Sequence, residues 1–314
     1  ELQDSDIETA SDSATRISYE TGLASLSDVD FVVEAVPEQL DLKRDLVSEL
    51  EGVLRREAVI GTNTSSLTPG DIATALTDPG RVVLFHFANP ALHRDIVEIS
   101  GDQATDRAIE TATEVAHEIG RKPIRLQTEF RANGLSRLSA SIKCAASWEL
   151  LDAGPAAIDT GARNAGFDRG PFELIDLIGL DVHLDTVGNL GVYGERYAPP
   201  TEIREQMARM VGEGHLGKKT GQGFFEWEDG ACRLPDPDGP HDVTPILAAL
   251  VNEAHRLVDD GVADADTVNE ILKRGGDSET GPFDIEEMFG EDYLREVLET
   301  RYDETGGEIY DPVF

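Results

Sequence analysis

Arg81-Val-Val-Leu-Phe-His-Phe-Ala-Asn-Pro90, followed by Ala91-Leu-His-Arg-Asp-Ile-Val-Glu-Ile99, is the stretch on which the fold turns. Val82, Val83, Leu84 and Phe85 form an unbroken apolar run of strand length, as expected for a strand buried on both faces of a parallel sheet. His86 falls at the carboxyl end of that strand. Open α/β sheets bind their ligands along that edge, so an imidazole there is a candidate acid/base group. Taken alone, a histidine after a strand is more often a hydrogen-bonded structural residue. Twelve residues on, however, Glu98 sits in a second apolar run, Ile96-Val-Glu-Ile99, and if that run is the neighbouring strand its carboxylate can reach His86.

Outward from this stretch, strand and helix patterns alternate. Val29 to Val36 reads as a strand ended by Pro37, and Glu38 to Leu54 as a helix through Leu40, Leu46, Val47, Leu50 and Leu54. Ala58 to Thr62 is a second strand, with Asn63-Thr-Ser-Ser-Leu67 turning at its carboxyl end, and Thr68-Pro69-Gly70-Asp71 caps a helix up to about Leu76. The strand ending at His86 comes third. After Glu98, a helix from about Gln103 to Ile119 closes at Gly120, and Lys122 to Leu126 makes a further strand. This alternation is that of a doubly wound, Rossmann-like α/β domain, placed over residues 1–130. A dinucleotide domain normally opens on a strand and a Gly-x-Gly-x-x-Gly turn, and no such turn follows any strand here. The expectation is therefore an incomplete domain whose first strands precede Glu1.

The carboxyl half is helical and internally repeated. Ala146-Ser-Trp-Glu-Leu-Leu-Asp-Ala-Gly154 is echoed by Glu253-Ala-His-Arg-Leu-Val-Asp-Asp-Gly261, and Gly170-Pro-Phe-Glu-Leu-Ile-Asp-Leu-Ile-Gly179 by Gly281-Pro-Phe-Asp-Ile-Glu-Glu-Met-Phe-Gly290. Lys219-Thr-Gly-Gln-Gly-Phe-Phe225 has a fainter echo in Glu304 to Tyr310. Matches in the same order argue for duplication. The expected arrangement is two all-α domains in tandem, residues 131–227 and 244–314, joined by a Gly-, Pro- and Asp-rich linker at 228–243.

Charge narrows the partners. Sixty-two acidic residues against 27 basic ones leave a net charge of −35. Such a surface repels nucleic acid and anionic membranes, and no apolar run of membrane-spanning length is present. The acids are spread through segments with clear apolar periodicity, which favours folded domains adapted to concentrated salt over disorder. Cys144 and Cys232 are too few for a disulfide framework and lack metal-ligand spacing, so a reducing cytoplasmic setting and no metal are expected. His93, in the loop between His86 and Glu98, has no ligand partner at metal spacing and reads as a surface residue.

Several of these segments together resemble the 3-hydroxyacyl-CoA dehydrogenase family: Asn63-Thr-Ser-Ser-Leu67, His86-Phe-Ala-Asn-Pro90, Glu98, Gly170 to Asp181 and Gly217 to Phe225. The similarity runs from about residue 20 to 227, with a tandem domain known in longer members. The resemblance implies oxidation of a 3-hydroxyacyl-CoA by NAD. It gives His86 the role of proton acceptor, with Glu98 orienting it. Ser65 and Asn89 fall at positions contacting substrate oxygen and nicotinamide, and Glu38 and Lys43 at positions approaching the cofactor ribose. A helix lysine among acids is otherwise a solvated ion pair.

One position is ambiguous. The family has Asp-Thr-Pro-Gly-Phe-x-x-Asn-Arg-Leu at the start of its second domain, where this chain has Gln127-Thr-Glu-Phe-Arg-Ala-Asn-Gly-Leu-Ser-Arg-Leu138. Alignment on Phe130 places Asn133 in the thioester-binding role, and alignment on Arg137 places Ser136 there. Asn133 is preferred because an amide can donate to a carbonyl while accepting elsewhere. The resemblance further implies a homodimer. Two rivals stand beside this reading: a dehydrogenase of another 3-hydroxy acid, and a non-catalytic structural or assembly protein on the same scaffold.

Overall fold

The computed structural model describes residues 15–237 and 239–314; residues 1–14, and Asp238 in the stretch read as a linker, lie outside the described residues. The amino-terminal half is built on a sheet of five strands, β1 (Phe31–Glu34), β2 (Val59–Thr62), β3 (Val82–Phe87), β4 (Ile96–Ser100) and β5 (Lys122–Arg125), arranged in that spatial order. β1, β2 and β3 run parallel, as does the β4–β5 pair, but β4 lies antiparallel to β3. The sheet is therefore mixed, where the apolar run of β3 alone implies parallel neighbours. The connection from Ala88 to Asp95 explains the difference: a parallel return needs a crossover of a dozen or more residues, and this loop is shorter.

Alternation along the strands sorts the core into faces. Ile60 and Val82 pack with Val47, Leu50 and Ile72 from α1 (Leu40–Val53) and α2 (Pro69–Ala73). Val59, Val83, Phe85, Val97 and Ile99 point the other way, onto Ala108, Ala112 and Ala116 of α3 (Asp106–Glu118). The small alanines at every fourth position let α3 lie close to the sheet. Both later helices start on a threonine cap, Thr68 accepting from the Asp71 amide at 3.0 Å and Thr105 from the Ala108 amide at 3.2 Å. Leu84, between Val82 and His86 on the same side of β3, belongs to the core of the helical half. His86 thus faces the helices.

The helical half comprises α4 (Gly134–Glu149), α5 (Pro155–Asn164), α6 (Pro171–Ile178), α7 (Leu180–Leu190), α8 (Thr201–Gly212), α9 (Thr244–Asp259), α10 (Ala265–Glu270), α11 (Pro282–Phe289) and α12 (Glu291–Thr305). The two repeated segments share one hydrophobic core, with α4 packed along α9. Equivalent features recur in both. Each Gly-Pro-Phe helix start is held by a side chain of the preceding helix, Asp159 Oδ1 accepting from the Phe172 amide and Asn269 Oδ1 from the Phe283 amide. Gly179 and Gly290, with φ of 104° and 87°, turn the chain between α6 and α7 and between α11 and α12, a conformation that favours glycine. Phe167 and Ser278, each three residues before its Gly-Pro-Phe, form an antiparallel bridge. The bridge thus pairs residues that hold equivalent places in the two repeated segments.

Between the copies, the stretch read as a linker begins as a hairpin, β6 (Glu226–Glu228) with β7 (Ala231–Arg233). The glycine-rich segment before it is fastened by Asp176, whose carboxylate accepts from the Phe224 and Phe225 amides at 2.8 Å and from Trp227 Nε1 at 3.1 Å. The Gly217–Phe225 segment is thereby tied to α6.

Candidate active site

The carboxyl ends of β2 and β3 and the start of α4 meet at His86. In the antiparallel register His86 is paired directly with Glu98, so their side chains emerge on one face of the sheet. Nδ1 of His86 lies 2.8 Å from Glu98 Oε2, and Nε2 lies 3.1 Å from Ser65 Oγ. The carboxylate only accepts, so Nδ1 carries the proton and Nε2 presents a lone pair to the Ser65 hydroxyl. The imidazole is 5% exposed. It is sheltered without being sealed from a substrate.

Glu98 is itself held. Its other oxygen, Oε1, accepts from the Leu135 amide in the first turn of α4 at 2.8 Å. A helix amino terminus favours a carboxylate, so α4 stabilises the charge that orients His86. Gly134 permits the approach: a Cβ there would stand 3.0 Å from Glu98 Oε1 and 2.9 Å from Ile271 Cδ1.

The Asn63–Ser66 turn is clasped by Glu38, whose Oε1 accepts from Thr64 Oγ1 and from the amides of Ser65 and Ser66. Burial pushes the Glu38 carboxyl up, but the Thr64 hydroxyl, the Lys43 charge and the Ser66 donors outweigh it and hold it below the ordinary carboxylate range. Lys43 is buried, not solvated. Its Nζ donates to Glu34 Oε1 at 2.8 Å and to Val36 O at 3.1 Å, and lies 3.3 Å from Glu38 Oε2, which uses its three protons. Glu38 and Lys43 therefore shape the serine turn from beneath.

Because Ser65, His86 and Glu98 have the order of a hydrolase triad, acyl transfer has to be considered. Such chemistry needs free donors beside the nucleophile for the developing oxyanion. Here the Ser65 and Ser66 amides are consumed by Glu38. Proton abstraction from a hydroxyl needs no such donors and fits the site better.

The remaining predicted residues divide. Asn89, after β3, is exposed and its bond to Pro90 is cis. Asn133 is buried and spends its amide on Thr64 O at 2.9 Å, bracing the serine turn from the helical side. Ser136 lies one turn into α4 and is half-buried. His93 lies in the loop that joins β3 to β4. Among the described residues no cluster of His, Cys, Asp or Glu is placed to hold a metal ion. Three partners escaped the sequence reading. Asn63 Oδ1 accepts from the Phe87 amide at 2.9 Å, Asn189 Nδ2 of α7 donates to Ser66 Oγ at 2.8 Å, and the Leu135 amide holds Glu98. Asn63 was within the quoted turn, but no local pattern marks Asn189 or Leu135.

The chain matches known proteins along both of its halves. Residues 2–129 match the 3-hydroxyacyl-CoA dehydrogenase NAD binding domain, and residues 135–227 and 243–314 match the C-terminal domain of the same enzymes. The chain belongs to the 3-hydroxyacyl-CoA dehydrogenase family. Among family members, it is 34% identical over 221 residues to a probable 3-hydroxybutyryl-CoA dehydrogenase of Deinococcus radiodurans, covering 68% of this chain and 77% of that protein. It is 33% identical over 229 residues to 3-hydroxyadipyl-CoA dehydrogenase of Escherichia coli, covering 70% of this chain; the match spans 47% of that relative, about half its length. A solved 3-hydroxybutyryl-CoA dehydrogenase of Escherichia coli shares the fold, with a TM-score of 0.80 at 23% identity over 98% of this chain and 84% of that one. A Rossmann-like sheet domain followed by a helical carboxyl-terminal region is thus the family architecture.

Proposed function

We propose that the protein oxidises 3-hydroxyacyl-CoA thioesters to 3-oxoacyl-CoA with NAD. The observation that carries this is the placement of His86 Nε2 beside Ser65 Oγ at the ligand-binding edge of the sheet, with Nδ1 fixed on Glu98. A 3-hydroxyl entering beside Ser65 would donate to Nε2. As the C–O bond becomes a carbonyl, His86 takes the hydroxyl proton and Glu98 stabilises the imidazolium. Ser65 holds the same oxygen, and the thioester carbonyl would be met at the start of α4 by the Asn133 N–H not used on Thr64 O or by Ser136.

NAD, when bound, supplies the acceptor for the hydride that leaves the same carbon. The nicotinamide end of such a site fits the residues present: the Asn63 amide nitrogen and the exposed Asn89 side chain have no partner among the described residues, and both lie at the strand ends beside His86. Glu38 keeps part of its side chain exposed. A glycine-rich pyrophosphate turn belongs to the same proposal and would precede β1, which among the described residues is paired only with β2.

The domain partition at 130, 227 and 243 and the duplication of the helical domain are supported by the two-part family match and by the bridge between the equivalent residues Phe167 and Ser278. A homodimer is supported by the exposed Met288, Phe289 and Tyr293 on α11 and α12, and sedimentation velocity distinguishes it from a monomer. We also assign the net charge of −35 to life in concentrated salt, within a reducing cytoplasm in which Cys144 and Cys232 stay free. Melting temperature should then rise as KCl approaches about 1 M, where the Debye length shrinks to about 3 Å; a fall would reject this.

The enzymatic test is NAD reduction with 3-hydroxybutyryl-CoA. His86→Gln should lower the rate by about 10²-fold or more while leaving the melting temperature nearly unchanged. A fully active variant would reject the mechanism. Free 3-hydroxy acids in place of thioesters test the rival substrate class, and no NAD reduction with either supports a non-catalytic scaffold.

A further inference from the structure

The second repeated segment carries one residue more than the first, within a span that two pairs of equivalent residues mark out. Asp159 and Asn269 make the same hydrogen bond in each segment, and Phe167 and Ser278 hold equivalent places. Yet Asp159 stands eight residues before Phe167, and Asn269 nine before Ser278. In the first segment this span begins inside the regular helix α5. In the second, α10 gives way to a π-turn, Ile271–Gly275. Such turns are a way for a helix to absorb an extra residue, and they are frequent at functional sites.

This one lies behind the His86–Glu98 dyad, packed on β4 and on the start of α4. A Cβ at Gly134 would stand 2.9 Å from Ile271 Cδ1 and 3.0 Å from Glu98 Oε1, so the Ile271 methyl and the carboxylate converge on one point of α4. A Cβ at Gly275 would stand 2.8 Å from Ile96 Cδ1 and 2.9 Å from Leu135 Cδ2, which sets the other end of the turn on the strand of Glu98 and on the residue whose amide holds it. Ile271 is fully buried and Glu98 is 1% exposed. Three ion pairs fasten the turn to the sheet domain: Glu270 with Lys122, Arg274 Nη1 with Asp95 Oδ2 at 2.6 Å, and Asp277 Oδ2 with Arg94 Nη1 at 2.5 Å. Pairs near the surface add little stability singly, but three around one turn fix where it sits.

We infer that Ile271 is a positioning residue for the dehydrogenation: it closes the far side of Glu98 against water, so that the carboxylate stays on the Leu135 amide and on His86 Nδ1. This rests on the proposed 3-hydroxyacyl-CoA reading. When His86 takes the hydroxyl proton, Glu98 faces a new positive charge, and that attraction is several-fold stronger in a dry interior than in water. A water at Oε1 would screen it and compete for the Leu135 amide. The second repeated segment thereby acts on the reaction from behind the strand, through Glu98.

The test sets Ile271→Val against Ile271→Thr, two side chains of nearly one shape that differ in a hydroxyl able to hold water. With 3-hydroxybutyryl-CoA and NAD, Ile271→Val should keep kcat within about twofold. Ile271→Thr should lower kcat about tenfold with substrate KM little changed. In a Glu98→Gln background Ile271→Thr should lower kcat no further, because its effect passes through that carboxylate. Wild-type kcat in Ile271→Thr, equal losses in the two variants, or a loss that persists in Glu98→Gln overturns the inference. Hydrogen exchange at the Leu135 amide needs no turnover: it should be about tenfold faster in Ile271→Thr than in Ile271→Val, and equal exchange overturns the inference. If wild type oxidises no 3-hydroxyacyl-CoA, the dehydrogenase reading is what fails, and the exchange rates still decide whether Ile271 shields Glu98.

Discussion

His86 and Glu98 face each other across an antiparallel pair of strands, 2.8 Å apart, and the carboxylate is shared between the imidazole and the Leu135 amide. Both of its bonds are accepting ones. In Glu98→Gln the amide can accept at one oxygen only, so either α4 loses its anchor or His86 Nδ1 meets an N–H donor and the tautomer reverses. The NAD-linked rate should fall by about 10²-fold to 10⁴-fold, chiefly in kcat, while substrate KM changes little. Steady-state kinetics with the variant checks this.

Lys43 satisfies the buried Glu34 carboxylate, which also accepts from Thr62 Oγ1 at 2.7 Å and from the Val36 amide at 2.7 Å. Removing the cation strands a buried charge. Lys43→Met should cost about 3–5 kcal/mol in urea denaturation, and replacing Glu34 with an apolar residue as well should recover much of the loss.

Arg137 of the first helical copy is fully buried against Glu253 of the second, Nε to Oε1 at 2.5 Å, with Asp260 at 2.9 Å and the Tyr197 hydroxyl on the same glutamate. The bond crosses the repeat boundary. Arg137→Met alone should destabilise by about 3–5 kcal/mol, whereas Arg137→Met with Glu253→Met should be nearer to wild type. A double-mutant cycle with a coupling energy near zero would mean the copies are not joined through this pair.

Stability should respond to pH in two separate windows set by two buried bases, Lys143 of α4 and His183 of α7. Burial depresses Lys143 to about 8, and burial with the nearby Lys143 charge depresses His183 to about 3. In both, the unfolded chain binds the proton more tightly. Stability should therefore rise as pH climbs from about 8 toward the ordinary lysine value of 10.5, and fall as pH drops from the ordinary histidine value of 6.5 toward about 3. Carboxylates titrate in the lower window too, so the wild-type minus variant difference is the measurement. Lys143→Met should abolish the alkaline rise and His183→Leu should soften the acid loss.

Much of the sheet domain was legible because its strands are short apolar runs closed by turn residues, and because twelve residues from His86 to Glu98 place two chemically matched groups together. The antiparallel β4 was less so, although the short Ala88–Asp95 connection contains the answer. A solvated Lys43, the ordinary alternative to a cofactor contact for a helix lysine among acids, is not what forms, because it stands on the same helical stripe as Leu40, Val47 and Leu50, where a charge must find a buried partner. Asn189 and Leu135 were beyond reading. Their roles come from where α7 ends and α4 begins relative to a sheet far away in sequence, which no local pattern specifies.

The Phe167–Ser278 bridge has a consequence for how this protein can change. In a symmetric pair of separate chains every contact is made twice, so one altered codon alters both halves of the interface. Here the halves are one polypeptide. Ala146 stands where the second copy has Glu253, and Glu149, which binds His241, Arg301 and the Tyr310 hydroxyl, stands where the second copy has Arg256. The two repeated segments thus carry different partners at matching places, one supporting the site at α4 and α7 and the other the acid that holds Arg137, and because they are tethered their pairing does not weaken on dilution.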